Sequence, residues 1–170
     1  MQDWKKEIEA VIKGISRHNE ALDKGLKNYR YAAFKIRCGG VEAHHFPSVQ
    51  QVAFMLQKAR KYNVAVKGTA GLHQPVRHYS ESVQTKMHGF FNVFGGAMLG
   101  YANDLNTEEL EEILSEEDAE QFVFTDEFLR WKDYQVTTNE IKELRKSALI
   151  SYGSCSFEEP IEDLKKLGLL

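Results

Sequence analysis

At 170 residues, 42% hydrophobic and 28% charged, the chain supports one domain with a proper core, and no apolar run approaches the roughly 20 residues of a membrane span. A formal charge of −3 and a pI near 6.1, with bases spread rather than run together, argue against nucleic acid as a partner. Two cysteines, Cys38 and Cys155, build no disulfide framework, and Met1–Lys6 lacks a signal-peptide core, so the expected setting is a reducing cytoplasm with no membrane.

Trp4, Ile8, Val11, Ile12 and Ile15 recur at helical spacing and predict a first amphipathic helix ending near Gly25. A strand is expected from Tyr31 to Cys38, closed by Gly39-Gly40. Ser48 and Gln51 form a capping-box pattern ahead of a helix whose inner face is Val49, Val52, Ala53, Leu56 and Ala59. A second strand is expected from Val64 to Thr69, and an apolar helix over about Thr85–Ala102. Between Met87 and Leu129 lie eleven acids and no Lys or Arg, while the rest holds 22 bases against 14 acids. Solvated helix faces are the plain reading of that stretch, with partner binding the alternative. Capping residues there suggest short helices from Thr107, Ser115, Thr125 and Thr138, a helical insertion over about 104–147. A third strand over Ala148–Tyr152 runs into Gly153-Ser154-Cys155-Ser156-Phe157, and Pro160 lies in the first turn of a last helix ending at Gly168.

Strands separated by helices imply one α/β domain over 1–170 with a parallel sheet. Three strands leave such a sheet incomplete. Either further strands exist, or a partner chain completes the sheet, or the chain is the C-terminal part of a larger barrel.

Two strands carry the chemistry. Phe34 and Ile36 share one face and Lys35 and Arg37 the other; likewise Val64 and Val66 oppose Lys67 and Thr69. Each strand ends in a glycine turn, Gly39-Gly40 or Gly68 to Gly71, and strand ends are where α/β folds hold ligands. Three readings stand for Lys35, Arg37 and Lys67: a Schiff-base lysine with neighbouring cations, a carboxylate or phosphate site, or structural pairing with acids elsewhere. His44, His45, His73 and His78 sit on expected strand-end loops, where one or two could move protons or hold an oxyanion. Ordinary loop histidines are the plain alternative, and their spacing matches no zinc motif. His88 opens the apolar helix, where it would cap or pack. That helix, with Phe90, Phe91, Phe94, Met98 and Leu99, reads as core or subunit interface. Gly153-Ser154 offers backbone N–H groups and hydroxyls to an anion, a weak signal taken alone. Cys155 as a nucleophile would need a base that sequence does not place.

The run from Lys35 to Gly40, Phe46-Pro47-Ser48, Val66 to His78, His88 to Val93, and Gly153 to Pro160 resemble a bacterial family of unassigned function. The resemblance covers most of the chain from Phe34 onward. It implies a (β/α) barrel of TIM type whose last three strands match these, with longer members carrying a further N-terminal half. A more distant similarity is to class I aldolases of the deoxyribose-phosphate type. It implies Lys35 as the Schiff-base lysine, Lys67 as the neighbour that lowers its pKa, and a phosphate held near Gly68–Gly71 and Gly153-Ser154. Arg37 and Cys38 depart from the small hydroxyl residues of that pattern, and the strand bearing the aldolase aspartate is missing.

The candidate set is Lys35, Lys67 and His73 for chemistry, with Arg37, Gly39, Gly40, Thr69, Gly71, His78 and Ser154 for substrate contact. The expected function is anion binding at the ends of barrel-type strands. In its enzyme form it is a cofactor-free lyase of aldolase type, acting on a small phosphorylated or carboxylated carbonyl compound. One alternative is a non-catalytic module derived from a barrel, self-associating as a homo-oligomer or binding a ligand. The other is a metal-dependent hydrolase built on the histidines, although no metal ligands are assigned.

Overall fold

The computed structural model describes residues 3–24, 30–154, 156 and 158–170. α1 (Trp4–Asp23), β1 (Phe34–Arg37), α2 (Val49–Lys61) and β2 (Val66–Thr69) open the chain. A hairpin of β3 (His78–Ser80) and β4 (Thr85–Met87) follows, then a π-type turn over Phe91–Gly95 leading into α3 (Gly96–Asn103). α4 (Thr107–Ser115) precedes an antiparallel meander of β5 (Phe122–Phe124), β6 (Phe128–Trp131) and β7 (Tyr134–Thr137). α5 (Thr138–Ser147), β8 (Leu149–Gly153) and α6 (Glu158–Lys166) come last.

β1, β2 and β8 form a three-stranded parallel sheet in that order, with β2 central. The protein is thus mixed α/β. Its five additional strands pair only among themselves, so the described residues form no closed barrel. The expected helices over Thr85–Ala102 and from Thr125 are corrected: Thr85–Met87 is a strand, and Thr125 turns the chain between β5 and β6. The insertion of 104–147 is therefore a helix, a small sheet and a second helix.

Local chemistry explains the helix starts. Ser48 Oγ accepts from the Gln51 N–H at 3.2 Å while Gln51 Oε1 accepts from the Ser48 N–H at 2.8 Å, closing the capping box. Asn106 with Glu109 and Thr137 with Glu140 repeat this reciprocal pairing at α4 and α5. Both caps lie one residue before the threonines that sequence suggested.

The core lies on one side of the parallel sheet. Ile36, Val66, Val52, Leu56, Leu72, Leu99 and Ile113 are all buried there, each apolar side chain of this size contributing about 1.5–3 kcal/mol. Gly68 lets the Phe94 ring press on the strand: a Cβ there would meet the ring at 2.8 Å. Asn92 is fully buried in the π-type turn and ties three segments together. Its Nδ2 donates to the carbonyls of Ile113 and Glu116, each at 2.8 Å, and its Oδ1 accepts from the Arg77 N–H at 2.8 Å.

The opposite face is different. Lys35, Arg37 and Lys67 stand exposed, and no described element covers them. A parallel sheet ordinarily buries both faces, so this open side is the exception in the fold.

Candidate functional site at the strand ends

Lys35 and Lys67 are direct neighbours in the β1–β2 register, and Arg37 pairs likewise with Thr69. Register neighbours in a parallel pair project from the same face, which puts both side chains on one side of the sheet. Among the described residues, no hydrogen bond or ion pair occupies either lysine. The Arg37 Nε donates to the Gly39 carbonyl at 2.8 Å, curling the side chain over its own turn.

Beyond the strand ends lies a cleft of about 910 Å³. Lys67, Thr69 and Gly71 from β2 and its turn line it, together with Gly40, His73, His78 and Ser154. Lys35, Arg37 and Gly39 do not. Lys35 and Arg37 lie on the open sheet face, and Gly39 is buried against Gly71, where a Cβ would come within 2.7 Å of the Gly71 Cα. Ala70 and Gly71 both take positive φ, +59° and +68°, which bends the chain sharply at the mouth of the cleft. His78, expected on a loop, instead begins β3, and the β3–β4 hairpin forms a wall through Ser80, Ser82 and Met87.

His73 is the best-connected polar side chain in the cleft. Its Nδ1 lies 3.1 Å from Ser154 Oγ and 3.1 Å from Glu159 Oε2. A nucleophilic serine triad needs the serine and the carboxylate on different ring nitrogens. Here both meet the same one, so the trio is a clamp between β2 and α6 rather than a charge-relay serine. Sequence reasoning missed the α6 wall, where Glu159, Glu162, Asp163 and Lys166 face the cleft. Asp163 pairs with Lys166 at 2.8 Å and holds that ammonium above its ordinary range. The signal was the Glu-rich first turn directly after the Gly153-Ser154 turn.

The remaining candidates fall elsewhere. His44 and His45 are exposed, their rings tilted at 55° to each other with centroids 4.2 Å apart. His88 is fully buried: Nε2 donates to the Pro47 carbonyl at 2.8 Å, leaving Nδ1 to accept from Arg77 at 3.3 Å. Burial lowers its pKa to about 4, so it packs as a neutral ring. Among the described residues, no three His, Cys, Asp or Glu side chains are placed to hold a metal ion. Cys38 is buried, and burial pushes its thiol up to about 12. Cys155 lies outside the described residues, as do the predicted helix end at Gly25 and Phe157 of the last turn. No helix among the described residues is long and apolar enough to cross a membrane.

Comparison with family models, with curated proteins and with solved structures found no match for this chain.

Proposed function

We propose that this protein binds a small phosphorylated or carboxylated molecule at the C-terminal ends of its parallel strands. The observation that carries the reading is the in-register pair of Lys35 and Lys67, neither of which is hydrogen-bonded or ion-paired to an acid among the described residues. Like charges on neighbouring strands repel, and a bound anion would relieve that repulsion. Lys67 and the Thr69 hydroxyl would contact the anion at the cleft, and Arg37 would add its terminal nitrogens from the open face.

The enzyme form of the proposal is a lyase of aldolase type. Lys67 would be the amine that condenses with a carbonyl, and His73 would carry protons. Schiff-base chemistry asks for a lysine shut away from water, whereas Lys35 and Lys67 are both exposed. Non-covalent binding is thus the form the geometry favours.

The test is isothermal titration with inorganic phosphate, alongside borohydride trapping with glyceraldehyde 3-phosphate read by intact mass. Saturable phosphate binding that weakens with salt and with Lys67→Met is the expected result. An adduct on Lys67 would establish the covalent form instead, and no phosphate binding would overturn the reading. A second reading has its own support. Among the described residues the lysine-bearing face is uncovered and β1 and β8 pair with nothing beyond β2, so a second copy of the chain would complete the sheet. Sedimentation equilibrium separates monomer from dimer directly.

A further inference from the structure

A second cavity, of about 410 Å³, is lined by residues 149–152 of β8 and shares no lining residue with the cleft. Its chemistry is opposite in kind. Phe90, Phe94, Met98, Leu129, Leu149 and Tyr152 give it apolar walls. Phe91, Phe94 and Gly95 of the π-type turn line it as well. Phe90 and Phe94 meet Tyr152 at centroid distances of 5.7 and 5.6 Å. Its size falls within the usual range for small-molecule sites, which pair apolar walls with a few polar groups.

One cation stands among these walls. Ile141 and Arg145 lie one turn apart on α5 and so share a helix face. Ile141 contributes to the wall and Arg145 lines the same cavity from the exposed end of the helix. Among the described residues, no hydrogen bond or ion pair occupies the Arg145 guanidinium. No carboxylate lines this cavity. A planar fork beside an apolar hollow complements a molecule with a greasy body and one carboxylate head.

We infer that this cavity binds an amphipathic monocarboxylate, its apolar body between the π-type turn and β8 and its carboxylate on Arg145. This site is independent of the strand-end cleft. Nothing in it depends on Lys35, Lys67 or His73.

Isothermal titration of the intact protein with decanoate, decanol and butyrate tests the assignment. Decanoate binds one to one, while decanol and butyrate each bind at least about tenfold more weakly. Arg145→Gln weakens decanoate at least about tenfold and leaves decanol unchanged. Ile150 is 44% exposed at the rim, so Ile150→Glu keeps the fold and abolishes decanoate binding by repulsion. Circular dichroism on both variants verifies the fold. Three outcomes overturn the inference. One is the absence of saturable decanoate binding. Another is equal affinity of the wild type and Arg145→Gln. The third is a dimer that Ile150→Glu dissociates and that takes up no decanoate, which gives the cavity to a second copy.

Discussion

A side chain on Gly39 would begin 2.7 Å from the Cα of Gly71, and one on Gly71 would begin 2.9 Å from the Cα of Gly39. The turns that end β1 and β2 therefore touch backbone to backbone, and neither side can give way cheaply. Gly39→Ala is expected to cost about 1–3 kcal/mol by overpacking. Gly71→Ala is expected to cost more, because its φ of +68° adds the left-handed penalty of about 1–2 kcal/mol. Gly14, inside α1 with nothing within 4 Å of its missing Cβ, supplies the contrast. Gly14→Ala should stabilise by about 0.5–1 kcal/mol. Urea unfolding of the three variants measures all of this, and equal small effects would show that the turns do not meet.

Replacing Lys67 separates binding from stability. Lys67→Met removes one of two like charges in register, so stability should rise by about 0.2–1 kcal/mol. Phosphate affinity should fall about tenfold in the same variant. Thermal melts with and without phosphate read both at once. A variant that loses stability and keeps its affinity contradicts the anion site.

Much of the parallel sheet was legible in sequence because apolar and cationic residues alternate so cleanly in Phe34–Arg37 and Val66–Thr69. The hairpins were not, and the reason is turn chemistry. Gln84 and Lys132 take φ of +52° and +48° in the β3–β4 and β6–β7 turns, where glycine or asparagine would have announced a hairpin. Thr125 misled in another way. Its hydroxyl accepts from the Phe128 N–H at 3.1 Å in a strand turn, the same local bond that a helix cap makes. Along β2 and its turn, the residues that line the cleft follow from the same alternation as the strand itself. Lys35 shares the face of Lys67 yet does not line the cleft: sequence gives a face but not the depth along a strand at which a cavity begins.

His88 gives the fold a pH dependence of known sign. Burial, the largest cause, and the nearby Arg77 charge lower its pKa from 6.5 to about 4, while its hydrogen bond to Pro47 opposes them. An unfolded chain takes up this proton near pH 6.5 and the folded chain only near 4, so the unfolded state binds more protons between those values. Stability present above pH 6.5 is lost as pH falls toward 4, in all about 3 kcal/mol. His88→Gln, which keeps a donor and an acceptor, should flatten this part of the profile in urea titrations. An imidazole proton signal of His88 that titrates near pH 6.5 in the wild type would refute the assignment.

Asn92 should be among the costliest polar side chains to remove. Asn92→Ala strands the Arg77 N–H and the Glu116 carbonyl, at about 1–3 kcal/mol for each, and leaves the Ile113 carbonyl with only the Glu116 N–H at 3.3 Å. Asn103 makes a comparable pair of bonds, to Leu99 and Gln135, but at the surface. Asn103→Ala should therefore cost under about 1 kcal/mol. The gap between the two urea midpoints is the measurement.

The central position of β2 has a consequence for biosynthesis. Its neighbour on one side comes earlier in the chain, but β8 comes much later, and Tyr152 and Leu72 are bonded across 80 residues. Closing so long a loop is a late step in assembly. While a growing chain has not yet released residues 149–154 from the ribosome, β2 has a bare edge and the cleft lacks its Gly153-Ser154 wall. On the proposed reading of the cleft, an anion bound there would stabilise only chains that have released residues 149–154, and so would mark them apart from shorter ones still being made.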